Sequence, residues 1–152
     1  MDFFYARFLI AWTCWLLFAD KTRWKEMLPV CIFGSFLGLI TDQFTDWYIP
    51  YWEYYGSEPK IIRNLMDDFD VYVVVIYLFI QWLPKKRLFS NLFFYWFAWT
   101  AFAITIEYSH VKTGHMTHYH GWTFWHSYLS DWILFWIFYQ FHKGLQLDKL
   151  SK

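Results

Sequence analysis

Asp42, Asp46, Glu107, His110, His126 and Asp131 are ionisable side chains set inside, or at the ends of, long apolar and aromatic stretches. A charged group in such surroundings is costly unless it faces the interior of a helix bundle, so its helical spacing is informative. Cys31, Gly34, Gly38 and Asp42 share one helix face, and Asp46 extends the line by a turn. Gly34-x-x-x-Gly38 reads as a packing face that lets another helix approach closely. Thr100, Ala103, Glu107 and His110 form a second stripe. Glu107-x-x-His110 places a carboxylate beside an imidazole, a spacing used in di-iron carboxylate bundles, although no second Glu-x-x-His is present. Thr123, Ser127 and Asp131 form a third stripe, with His126 set to pair with Ser130. Ordinary structural roles fit these residues too: a hydrated helix end for Asp42 and Asp46, inter-helix hydrogen bonds for Asp131.

His110, His115, His118, His120 and His126 fall within 17 residues. Neutral imidazole is a common ligand for zinc, copper, iron or nickel, and His118-x-His120 chelates if the segment is extended. Glu107, His110, His115, His118 and His120 are therefore the candidate ligands for a divalent metal. No spacing matches a defined zinc signature, and histidine also serves as an amphipathic interface residue.

These residues need elements to hold them. The chain is 58% hydrophobic and 28% aromatic, with only 17% charged residues, too little polar surface for a soluble domain. A mean hydropathy of +0.18 understates this, because the scale scores Trp and Tyr as polar although both favour membrane interfaces. Lys21, Arg23 and Lys25, then Lys85, Lys86 and Arg87, then Lys143, Lys149 and Lys152 each follow an apolar run. Under the positive-inside rule these nine of 13 basic residues are cytoplasmic.

The expected fold is all-α, one integral membrane helical bundle over residues 1–152. Five transmembrane helices are expected at about 3–19, 27–48, 65–83, 88–108 and 122–141, with the N-terminus out and the C-terminus in. The first run lacks a basic leader and a small-residue cleavage site and reads as a retained span, with Arg7 near enough to its outer end to snorkel into the headgroups. A four-span alternative lays that run on the interface. Ile49–Asn64, broken by Pro50, Gly56 and Pro59, lies on or re-enters the outer surface. Cys14 and Cys31 fall inside spans and read as packing residues. The outer ends of the spans then carry Asp42 and Asp46, Asp67, Asp68 and Asp70, Glu107 and His110, and His126. Together they predict an outward-facing acidic and histidine-lined pocket for a divalent metal or for a cationic or hydrogen-bonding solute.

Gly38-Leu39-Ile40-Thr41-Asp42 followed by Asp46, and Glu107-Tyr108, Lys112-Thr113-Gly114 and Gly121-Trp122 with Trp125 and Ser127, resemble the signatures of a family. Its members are small multi-spanning membrane proteins of spore-forming Gram-positive bacteria. The resemblance covers most of the chain. It implies a helical membrane fold, and no activity, substrate, cofactor or catalytic residue comes with it. His126 and Asp131 fall outside its pattern.

The expectation is a multi-pass protein of the bacterial cytoplasmic membrane acting as a binding or interaction component, in contact with lipid and with a membrane-protein partner or a second copy of itself. A transporter or channel subunit, with Glu107 and Asp131 on a solute or proton path, is the alternative. A membrane-embedded metal-dependent enzyme is the third reading, and no nucleophile motif or phosphate loop supports it. The zero formal net charge gives no reason to expect nucleic acid.

Overall fold

The computed structural model describes residues 3–151, with all their side chains except that of Asp67. Its order is α1 (Phe3–Phe18), α2 (Trp24–Trp47), strand β1 (Trp52–Tyr54), α3 (Lys60–Met66), α4 (Tyr72–Gln81), α5 (Phe89–Lys112), strand β2 (Met116–His118) and α6 (Phe124–Gly144). Helical stretches thus occupy all five expected positions, and the fold is essentially all-α. Short 3-10 turns at Lys21–Arg23 and Leu147–Ser151 flank α2 and follow α6. By length and composition, Lys21–Trp47 and Phe89–Lys112 are long and apolar enough to cross a membrane.

Several boundaries differ from expectation, each for a local reason. The third helical stretch begins at Lys60 rather than 65, directly after Pro59, whose carbonyl accepts from the Ile62 and Arg63 amides. It passes through a π-helical turn, Asp67–Val71, before continuing as α4. That wide turn carries the buried Asp68 and Asp70 into the bundle. The tail after α6 docks: Leu147 is buried in the core and the 3-10 turn packs on α2.

α2 is the hub, packed on both α4 and α6, while α1 lies against α4 and α5 against α6. The sequence explains its place. A Cβ on Gly34 would overlap Ile76 Cδ1 of α4 and come within 3.1 Å of the Phe138 ring of α6. The Gly34/Gly38 face is therefore a packing face within the chain, where glycine lets two helices close on one. Phe79 anchors the α4–α5–α6 contact, 4.6 Å from the Phe135 ring and 5.4 Å from Tyr95.

Among the described residues, the members of the three basic clusters gather at one end of the bundle. The Asp20 amide donates to Gln81 Oε1 and the Gln81 side-chain amide to the Phe18 carbonyl, while Arg23 Nη1 donates to the Gln81 carbonyl. Arg87 and Lys143 both lie over the Tyr139 ring. At the other end, β1 and β2 pair antiparallel, with Trp52 opposite His118 and Tyr54 opposite Met116. The outward faces of the helices are strongly apolar, with Ile10, Leu17, Phe89, Phe94 and Trp125 all exposed.

Candidate functional site

A cavity of about 360 Å³ lies under the β1–β2 ribbon. Asp42 of α2, Glu107 and His110 of α5, and Ser127 and Asp131 of α6 all line it. Four of the six pocket residues expected from the sequence thus meet in one space. Trp52 and Tyr54 of β1, Met116 of β2 and Trp122 just before α6 also line it, and Ile76, Phe135 and Phe138 lie among its apolar walls.

Each polar wall residue has a defined setting. Glu107 Oε1 accepts from Ser127 Oγ and from His118 Nε2, both at 2.7 Å. Ser127 in turn accepts from the Trp122 indole at 2.8 Å. Asp42 Oδ1 accepts from the Trp52 indole at 3.3 Å. His110 lies 2.8 Å through Nδ1 from the Ile106 carbonyl and 2.6 Å through Nε2 from Arg7 Nη1. A carbonyl only accepts and a guanidinium only donates, so Nδ1 carries the proton and Nε2 is the acceptor. Asp131 lines the cavity wall with no protein hydrogen bond or ion pair to its carboxylate among the described residues.

Arg7 is the main correction. It does not snorkel outward: it is 8% exposed, with Nε 3.6 Å from Asp70 Oδ2 as well as its contact to His110. It braces α1, the π-turn and α5 at the end of the bundle that carries the β1–β2 ribbon. A buried arginine that finds an acid and an imidazole is held inside by them.

Asp46 and His126 do not line the cavity. Asp46 pairs with Lys60 Nζ at 2.8 Å and accepts from Asn64 at 3.0 Å, tying the end of α2 to the start of α3. His126 is exposed, and its Nδ1 accepts from the Thr123 amide at 3.2 Å, a helix-start cap rather than the expected pair with Ser130.

The proposed metal ligands disperse. His118 reaches Glu107, but His110 Nε2 is turned to Arg7, and His115 stacks on Phe3 at 4.3 Å. His120 is exposed in a left-handed turn before Gly121. Among the described residues no three His, Cys, Asp or Glu side chains are grouped to hold a metal ion. Cys14 and Cys31 are both free thiols, Cys31 buried in the packing face as expected.

The basic end holds a cluster that sequence spacing does not show. Glu26 and His142, each 2% exposed at the side chain, meet at 2.8 Å, and Arg23 grips the same carboxylate with Nε at 3.0 Å and Nη2 at 2.8 Å. Arg23 and Glu26 stand at i, i+3, but His142 is 116 residues from Glu26, so no stripe marks the cluster as a whole.

Comparison with protein-family models, with curated proteins and with solved structures finds no match in any of the three.

Proposed function

We propose that this chain is a five-span protein of the bacterial cytoplasmic membrane, N-terminus out, that binds a small ligand with an apolar body and a cationic group. Asp131 carries this reading. Its carboxylate lines a mainly apolar cavity without a protein hydrogen bond among the described residues, beside two further acidic residues, Asp42 and Glu107. A carboxylate so placed gains most from a ligand that brings a positive charge.

The apolar outer faces of the helices and the shared position of the three basic clusters support the membrane setting, with the cavity at the opposite, outward end. Hydropathy alone under-counts the spans, because α6 contains Trp125, Tyr128, Trp132, Trp136 and Tyr139. The resemblance to the spore-former family fits the same reading: its motif positions Gly38, Thr41, Asp42, Glu107, Trp122 and Ser127 all line the cavity.

The test is thermal unfolding of the purified chain in lipid nanodiscs with phenethylamine or its neutral counterpart, phenethyl alcohol. The amine is expected to raise Tm at concentrations where the alcohol does not, and Asp131→Asn to erase the difference. Equal effects of amine and alcohol on the native chain overturn the reading. For orientation, an impermeant maleimide on intact cells is expected to label Ser57→Cys and not Lys86→Cys, above the background of Cys14 and Cys31. The reverse pattern refutes the outward pocket.

A further inference from the structure

The cavity wall says more about the cation than its charge. A primary ammonium brings three N–H donors, and each needs an acceptor once water is excluded. Apart from the Asp131 carboxylate and the Ser130 hydroxyl, the acceptors here are partly committed. Glu107 Oε1 already takes two hydrogen bonds and Asp42 Oδ1 takes the Trp52 indole. The His110 nitrogens are engaged by Ile106 and Arg7.

Aromatic surface, in contrast, is abundant. Trp52 and Trp122 meet with ring centroids 5.2 Å apart and planes at 58°, forming a corner of the cavity, and Tyr54 and Tyr72 line the same space. Both indole N–H groups are spent on Asp42 and Ser127, so what these two rings add to the cavity lining is aromatic surface rather than donors. Tyr51 and His126 pack against Trp122 at 5.0 and 5.4 Å, which holds the corner in place before any ligand arrives. Fixed indole and phenol rings beside a carboxylate suit a cation with a diffuse, weakly hydrated charge and no donors.

We propose that the cavity is a site for a quaternary, trimethylammonium-type cation, held by the Trp52/Trp122 corner and the Asp131 carboxylate. This rests on the proposed ligand-binding function and narrows its ligand class. The same group occurs on small free solutes and on phosphocholine lipid headgroups.

The test compares three probes sharing one hydrocarbon body: phenethyltrimethylammonium, phenethylamine and phenethyl alcohol. Affinities are measured by calorimetry on the full chain in nanodiscs of phosphatidylethanolamine and phosphatidylglycerol. The quaternary probe is expected to bind at least about tenfold tighter than the primary amine, in keeping with cation–π preference at a desolvated site. Trp52→Leu and Trp122→Leu are each expected to remove that preference while both cations still outbind the alcohol. Unfolding profiles show which variant is folded and therefore interpretable, and Trp122→Phe, which keeps a π face, is expected to retain the preference.

Equal binding of the two cations overturns this inference and leaves the proposed function standing. Failure of both cations to outbind the alcohol removes the proposed function as well. Repeating the titration in nanodiscs containing phosphatidylcholine identifies the source. Competition assigns the site to a lipid headgroup, and unchanged affinity assigns it to a free solute.

Discussion

Gly34→Ala tests whether the hub geometry is as tight as described. Alanine in a helix interior is favoured over glycine by about 1 kcal/mol, so an open site would be stabilised. Here the added Cβ overlaps Ile76 Cδ1 and sits 3.1 and 3.4 Å from two Phe138 ring carbons. Ile76 is 1% exposed and Phe138 3%, so neither side chain has solvent to retreat into. Overpacking of this kind costs about 1–3 kcal/mol. The net expectation is destabilisation of up to about 2 kcal/mol after the propensity gain is subtracted. Ile76→Val removes Cδ1, the overlapping atom, and alone costs about 0.5–1.5 kcal/mol. In the double variant the new methyl occupies the vacated space. It is expected to be more stable than the sum of the single changes by about 1 kcal/mol or more. Equilibrium unfolding of all four species in mixed micelles reads this coupling. Additivity to within about 0.5 kcal/mol would refute the contact.

Two further outcomes follow from the basic end. Glu26→Ala strands a buried His142 and the half-buried Arg23, and is expected to cost roughly 3 kcal/mol in the same unfolding assay, with a loss under about 1 kcal/mol contradicting the cluster. Asp20 caps the Lys21–Arg23 turn, and hydrogen bonds from the Thr22 hydroxyl and amide hold its carboxyl below the usual aspartate range. A depressed carboxyl stabilises the fold above its unfolded-state pKa and loses that contribution as pH falls through the folded value. The Thr22 amide is thus expected to keep its exchange protection at neutral pH and to lose it only as pH falls below the ordinary aspartate value of about 3.9. Protection unchanged down to pH 2 would rule this out.

Much of the site is legible in the chain because helical spacing and burial obey one rule. Gly34, Gly38 and Asp42, then Ala103, Glu107 and His110, then Ser127 and Asp131, fall on inward faces because each polar or small residue is cheaper there than against apolar surroundings. Spacing is blind to what lies across the bundle. It shows that Asp46 continues a stripe but not that Lys60 and Asn64 wait one loop away to neutralise it. It marks Arg7 as near an end, while Asp70 and His110, on other elements, decide that it turns inward. The histidine-rich loop shows the limit of composition, since Phe3, Arg7, Glu107 and Thr123 each take a different imidazole. The strands β1 and β2 are three residues each, too short for alternation to register against the breakers around them.

The β1–β2 ribbon also sets a timetable. It joins residues 52–54 to residues 116–118, and the wall it covers is finished only by Phe138. During synthesis Asp42 emerges long before Trp122, Ser127 or Asp131 exist to enclose the space it lines. The pocket is therefore among the last features of the chain to mature, since closing it requires contacts of high sequence separation. Until then the early helices carry Asp42, Asp68 and Asp70 without α5 or α6 beside them. Biogenesis, as much as the finished fold, depends on α5 and α6 arriving promptly.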